Sequence, residues 1–167
     1  MGATGFRVGD KVVYPAYGVA EVIRLETRAI GGADHAFYVL SVLGSDVTIM
    51  IPTHNADGVG LRPVMAPEQA RAVFDVLRKP STAPEGPWNR RHREYLERLK
   101  VGTPEAVATV LRDLLRLQCG KDLSFSERKL LDTARALLIN ELALATRKPE
   151  AAVEREIDRL CRPTRAA

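Results

Sequence analysis

The sequence predicts an α+β protein in which a small antiparallel β barrel, residues 1–63, precedes a compact all-helical domain, residues 64–167. Three observations predict it. The N-terminal part alternates short β-branched and aromatic runs with turns rich in Gly, Pro and Asp. The remainder repeats apolar residues at three- and four-residue spacing behind Pro, Ser and Thr caps. Charge divides at the same boundary: residues 1–63 carry five basic and six acidic side chains, residues 64–167 twenty and fifteen.

The strands come first. Lys11 to Tyr14 is a short apolar run bounded by Gly9-Asp10 and Pro15. A second stretch opens at Gly18 and sets Val19, Val22 and Leu25 among polar residues. Phe37 to Leu43 and Val47 to Ile51 are β-branched and aromatic, and the Gly44-Ser45-Asp46 cluster between them is a hairpin signal. Four or five short strands with tight turns predict a small twisted barrel of the SH3 or Tudor kind. Strict alternation places Met50 on the face opposite Ile49 and Ile51. An adaptable Met beside Pro52 suits an apolar partner groove, with Arg28 as its polar companion. It suits a second layer of core equally well.

The helices follow. Pro67 opens a stretch with Ala70, Val73, Phe74 and Leu77 on one face. Pro80 to Pro87 holds three prolines and a glycine and reads as a loop. Trp88 to Lys100 is a charged helix whose expected apolar contacts are Tyr95, Leu96 and Leu99. Thr103-Pro104 caps a helix running to about Leu117 and stopped near Gly120. Ser124-Phe125-Ser126-Glu127 is a capping box in front of a long helix to about Thr146. Pro149 opens a last helix ending near Cys161. Short connections imply a compact bundle.

Composition excludes several classes of function. No run of about 18 apolar residues could span a membrane. The N-terminus lacks a charged-then-apolar signal, so a cytoplasmic protein is expected. Cys119 and Cys161 are far apart in sequence, and His35, His54 and His92 read as isolated from them and from one another. A metal site needs a closer set of ligands, and no metal or other cofactor is expected. Two lone thiols fit a reducing compartment. The motifs of nucleotide binding, serine hydrolysis and zinc proteolysis are all absent, Gly58-Val59-Gly60 is too short to cradle a phosphate, and Ser124 and Ser126 read as helix caps. The chain is therefore expected to be no enzyme and to take no small-molecule substrate.

Basic residues carry the most informative patterns. The chain's only Trp, Trp88, follows the proline-rich loop and is itself followed by Arg90, Arg91, His92 and Arg93. Arginines neutralise phosphates, and an apolar wedge beside them can enter a minor-groove step. The same Trp could instead cap the bundle core beside a solvated charged face. Arg128-Lys129 lies in the first turn of the long helix, where positive charge opposes the helix dipole. With Lys121 and the arginines after Trp88 these residues could form one basic surface. Arg112 and Arg116, four apart, read as a solvated helix face.

At these residues the sequence resembles the CarD family of bacterial RNA polymerase-binding proteins, and most of all its short, stand-alone CdnL branch. The segments that carry the likeness are Phe6-Arg7-Val8-Gly9-Asp10-Lys11-Val12-Val13-Tyr14-Pro15, Gly18-Val19, Gly58-Val59-Gly60-Leu61-Arg62, Trp88-Asn89-Arg90-Arg91, Val110-Leu111-Arg112-Asp113-Leu114, Leu123-Ser124-Phe125-Ser126-Glu127-Arg128-Lys129, Ala134-Arg135-Ala136-Leu137-Leu138 and Glu141-Leu142-Ala143. The resemblance implies a Tudor-like N-terminal domain that binds the polymerase β subunit, with contacts falling on Arg28 and Met50 and, beside them, Pro52. Some family members carry Arg where this chain has Met50, which shifts the expected contact from ionic toward apolar. The resemblance further implies a helical domain at the upstream edge of the transcription bubble, with Trp88 as wedge and Arg90, Arg91, Arg93 and Arg128 on the DNA; Lys129, in the same first turn as Arg128, is expected to join them.

The expected function is that of an initiation factor, acting as a monomer with RNA polymerase and promoter DNA as partners and stabilising the open complex with little sequence preference. A protein–protein adaptor, with the helical domain recruiting another protein, is the alternative. A DNA-binding protein that needs no polymerase is a third reading.

Overall fold

A computed structural model of the chain describes residues 5–15, 17–81, 84 and 86–162. The chain divides into two compact units, Met1–Val64 and Met65–Ala167. The first holds a five-stranded antiparallel sheet and the second five helices, so the expected α+β architecture holds.

The sheet runs in the order β4-β3-β2-β1-β5, from β1 (Lys11–Tyr14), β2 (Gly18–Ile30), β3 (Ala33–Val42), β4 (Thr48–Pro52) and β5 (Arg62–Pro63). β2 and β3 are longer than the short strands expected. They continue to a two-residue turn at Gly31-Gly32, where both glycines have positive φ (60° and 83°). That conformation is open to Gly and matches the twist of a tight hairpin. The outer half of the hairpin escapes sequence reading because both its faces meet solvent: Leu25, Ile30 and Ala36 are exposed. Without burial there is no apolar alternation to read.

One face of the sheet carries the core of this unit: Val12, Val22, Leu40, Ile51 and Leu61, with Tyr38 at the margin. Phe6 meets the Tyr38 ring edge-on at 5.7 Å, and its backbone N–H donates to the Tyr38 hydroxyl at 3.1 Å. The register shifts between Val22 and Arg24, a bulge that turns Arg24 to the face opposite the core, where it pairs with Val39. Pro63 ends the sheet on an edge strand, where a missing N–H costs no ladder bond.

In the second unit, α1 is Pro67–Arg78, α2 Trp88–Val101, α3 Pro104–Gly120, α4 Phe125–Thr146 and α5 Glu150–Cys161. Thr82, Ala83 and Glu85 of the expected Pro80–Pro87 loop lie outside the described residues. α3 is central and packs against each of the other four helices. Its Leu111 and Leu114 meet Val73 and Leu77 of α1, Tyr95 of α2, Leu138 and Leu142 of α4 and Ile157 of α5 in one core. The Thr103 hydroxyl accepts from the Ala106 N–H at 3.2 Å, and Ser124 and Glu127 complete both bonds of the capping box. Leu96 departs from expectation. It is 40% exposed, because the apolar face of α2 narrows to Tyr95 and Leu99.

Arg112 and Arg116 are the main correction. They do not form a solvated face. Arg112 is 2% exposed and donates from Nε to Asp113 Oδ1 (3.0 Å) and from Nη1 to the Val76 carbonyl (2.9 Å). Arg116 donates to the carbonyls of Leu77 (3.0 Å) and Lys79. The last carbonyls of a helix have no N–H of their own, and α1 ends just before Pro80. Arg116 supplies donors to the carbonyls of Leu77 and Lys79, and Arg112 adds a second donor to the Val76 carbonyl, which already accepts from the Lys79 N–H.

Candidate functional site

Two surfaces hold the residues singled out by sequence, one in each unit. In the β unit, the register Met50↔Val39↔Arg24, Pro52↔Phe37↔Glu26 and Arg28↔His35 sets Met50, Pro52 and Arg28 on a single face of the sheet, opposite the core. Val39 is fully buried beneath this face, while Met50 and Pro52 are half-buried. Arg28 pairs with Glu26, two residues away on the same strand face, at 3.4 Å. The result is a shallow apolar strip with one ion pair beside it.

His35 and His54 are a correction on this surface. They are neighbours, with ring centroids 6.3 Å apart. Pairing Phe37 with Pro52 carries the two imidazoles toward each other as the strands diverge into the 3-10 turn Thr53–Asn55. Two imidazoles alone do not make a metal centre, and among the described residues no group of three or more His, Cys, Asp or Glu could hold an ion.

In the helical unit, Trp88 is the first residue of α2 and is half-buried. The spacing of α2 puts Trp88, Arg91, His92 and Tyr95 on one stripe. Arg91 lies over the indole with its guanidinium carbon 5.3 Å from the ring centroid. His92 stands 5.2 Å and Tyr95 6.5 Å from the indole, centroid to centroid. Trp88 is half-buried and packs against the core of the helical unit. Arg90 and Arg93 fall off this stripe and are exposed.

The second and third turns of α2 and the start of α4 flank a groove of about 400 Å³, lined by His92 and Leu96 on one side and Phe125, Ser126 and Lys129 on the other. Lys129 is exposed, as is Arg128 before it. Lys121 does not stand free, since its ammonium lies 3.7 Å from Glu127 Oε1. Phe125, 75% exposed, and Leu96 are candidates that sequence reasoning passed over. Phe125 could have been found from its own spacing. Its helical neighbours three and four residues on are Arg128 and Lys129, so it has no apolar mate on the helix.

Beneath the site lies a polar network. Asp113 is buried, and it accepts from Ser81 Oγ (2.9 Å), Arg112 Nε (3.0 Å) and Arg98 Nη1 (3.4 Å). It joins α3, α2 and the segment leading to Trp88. Burial, reinforced by the Asp113 charge, pushes the Tyr95 hydroxyl up to about 12, so it stays protonated. Glu127 is 3% exposed. Burial opposes its charge, but hydrogen bonds from Ser124 and the positive charges of Lys121 and Arg91 outweigh that and hold it below the usual carboxylate range. Cys161 is buried, which raises its thiol to about 11 and leaves it unreactive.

The comparisons with known proteins agree across both units. Residues 72–158 match the family model of the CarD C-terminal domain, and residues 6–65 match that of the CarD-like/TRCF RID domain. The putative transcription factor YdeB of Bacillus subtilis (strain 168) is 31% identical over 137 residues, 82% of this chain and 90% of that protein. A solved structure described as "CdnLNt from Myxoccoccus xanthus" is 42% identical and covers 39% of this chain and 92% of its own, with a TM-score of 0.32. With both domain models in sequence and a relative matched along most of its length, the chain belongs to the CarD-like family of transcription factors.

Proposed function

We propose that the protein is a transcription-initiation factor that binds the β subunit of RNA polymerase through the sheet face of Arg28, Met50 and Pro52. Its helical unit meets promoter DNA at the upstream edge of the bubble through Trp88, Arg90, Arg91, Arg93, Arg128 and Lys129. It acts as a monomer in the cytoplasm, held at the nucleoid by polymerase. The observation that carries this reading is the half-open indole of Trp88 at the start of a helix whose first turns are rich in arginine. Phosphate contacts give affinity without base readout, and an apolar ring suits a widened minor-groove step. A factor that binds only the melted promoter shifts the closed-to-open equilibrium, and a differential affinity of ~1.4 kcal/mol changes that ratio about tenfold.

Trp88→Ala tests it. Open-complex lifetime under heparin challenge is expected to shorten while polymerase binding persists. Because Trp88 is half-buried, the variant should lose about 1–2 kcal/mol of stability, less than the ~3–5 kcal/mol of a fully buried aromatic. A folded, polymerase-bound Trp88→Ala protein with wild-type lifetime removes the wedge. The groove between α2 and α4, with Phe125 exposed at its rim, is the one observation favouring an adaptor that recruits a protein. In that case Phe125→Ser abolishes function without changing affinity for DNA.

A further inference from the structure

The helix that carries Trp88 is held by little apolar surface. The two buried residues of α2, Tyr95 and Leu99, are one turn apart and seat it on α3 along a single line of contact. Apolar contact has no preferred direction, so a helix seated on such a line can roll about it. A hydrogen bond depends on angle as well as distance and can fix the roll. Arg98 supplies one. Its Nη1 donates to Asp113 Oδ2 of α3 at 3.4 Å, with the Asp113 side chain fully buried and that of Arg98 21% exposed. The carboxylate is itself anchored, because Oδ1 accepts from Ser81 Oγ (2.9 Å) and Arg112 Nε (3.0 Å). The Arg98 guanidinium carbon also lies 5.6 Å from the centroid of the Tyr95 ring, and that ring is 6.5 Å from the Trp88 indole. A continuous run of contacts leads from Asp113 through Arg98 and Tyr95 to Trp88.

We propose that Arg98 is a positioning residue for Trp88: its bond to the buried Asp113 fixes the roll of α2 on α3, and with it the direction in which the indole faces. This deepens the DNA-binding reading given above, and rests on it for the consequence at promoters. Arg98 lies ten residues beyond Trp88, about 15 Å along the axis, so it acts through the helix and through Tyr95 and not by touching the indole. It is not a phosphate contact. To reach a phosphate it would have to break a charge-assisted bond to a carboxylate that water does not reach. Arg90 and Arg93 are exposed and face no such loss. The arginines of α2 therefore divide into two that can meet DNA directly and one that aims the residue between them and the promoter.

Trp88 is the only tryptophan, so the indole band in the near-ultraviolet circular dichroism of the free, full-length protein reports on it alone. Arg98→Met keeps the aliphatic stem and removes the donors. Well below the melting temperature the band is expected to lose intensity, and the open-complex lifetime to shorten toward that of Trp88→Ala. Added to Trp88→Ala, Arg98→Met should shorten the lifetime little further, as expected of residues acting through one contact. Arg98→Lys returns a charged donor and should recover part of both signals, and it carries the test should Arg98→Met not fold. Ile157→Val weakens the same core from α5 and should leave the band at its wild-type intensity, which separates positioning from loss of stability. In titrations with promoter duplex Arg90→Gln should lower the salt slope by about 0.9, one phosphate's worth, while Arg98→Met leaves it at the wild-type value. A wild-type band in folded Arg98→Met overturns the proposal. So does a band lost equally in Ile157→Val, or a salt slope lowered as far as in Arg90→Gln. A weakened band in Arg98→Met beside a Trp88→Ala protein of wild-type lifetime keeps the positioning of Trp88 and removes the DNA reading instead.

Discussion

The arginines of α2 and those of α3 are the same residue in similar sequence company, and the molecule uses them in opposite ways. Arg112 and Arg116 sit within one helical turn of each other beside Asp113, as Arg90 and Arg93 sit beside Glu94. The α3 pair points inward and donates to the carbonyls at the end of α1. Arg90 and Arg93 are exposed. Charge count therefore does not locate the functional surface. What separates the two sets is whether a neighbouring helix end presents acceptors that need donors, which is a property of the tertiary arrangement.

The largest effect expected from breaking this contrast belongs to α3. Asp113→Ala removes the partner of Arg112 Nε and the acceptor of Ser81. Removing one member of a buried ion pair costs roughly 3–5 kcal/mol, so denaturant unfolding should show the helical unit severely destabilised. A loss below about 0.5 kcal/mol, the range of surface substitutions, would falsify the structural assignment of the α3 arginines.

A change of comparable consequence, read in binding and not in folding, concerns the β unit. Arg28→Glu combined with Met50→Glu removes the ion-pair partner of Glu26 and sets two further carboxylates on the same sheet face. Polymerase β-subunit binding in a pull-down is expected to be lost, with the melting curve little changed because Arg28 is exposed and Met50 half-buried. Retained binding would move the contact to another face of the sheet.

Smaller again is the effect of Arg90→Glu. It should weaken DNA binding about uniformly across sequences and reduce the salt slope, while stability stays within about 0.5 kcal/mol of wild type. Binding indifferent to salt would argue against any phosphate contact at α2.

How much of this was legible from the residues follows one rule. Elements whose signal is local were readable: the Ser124–Glu127 capping box, the Thr103-Pro104 start and the alternation that turns Met50 away from Ile51 all depend on neighbours a few residues away. Features that depend on what another segment presents were not. The fate of Arg112 is decided by a carbonyl thirty-six positions earlier, and the approach of His35 to His54 by strand register. The outer β2–β3 hairpin lies between these cases. Its Gly31-Gly32 turn is a local signal, but the exposed strands around it carry no apolar period to support it. Within the candidate site the i, i+3 spacing of Trp88 and Arg91 was on the page, and the burial that distinguishes Arg91 from Arg90 was not.

The smallest effect expected is a pH dependence, and it sharpens the comparison by asking whether a buried charge at α4 behaves as those at α3 do. Glu127 titrates below its ordinary value of 4.5 in the folded protein, because the Ser124 bonds and the charges of Lys121 and Arg91 outweigh burial. A carboxylate with a lowered folded pKa contributes stability that is present above its unfolded value and is lost as pH falls through the folded one. Glu127→Gln keeps the capping-box geometry and removes only the charge, since either residue serves at that position. The difference in stability between wild type and Glu127→Gln should therefore favour wild type and stay constant near neutral pH. It should shrink steadily below 4.5, where a protonated Glu and a Gln become electrically alike. Other carboxylates titrate in the same range, and they cancel in the difference. A gap that instead widened toward acid would mean that burial dominates and that the Lys121 and Arg91 charges do not reach the carboxylate.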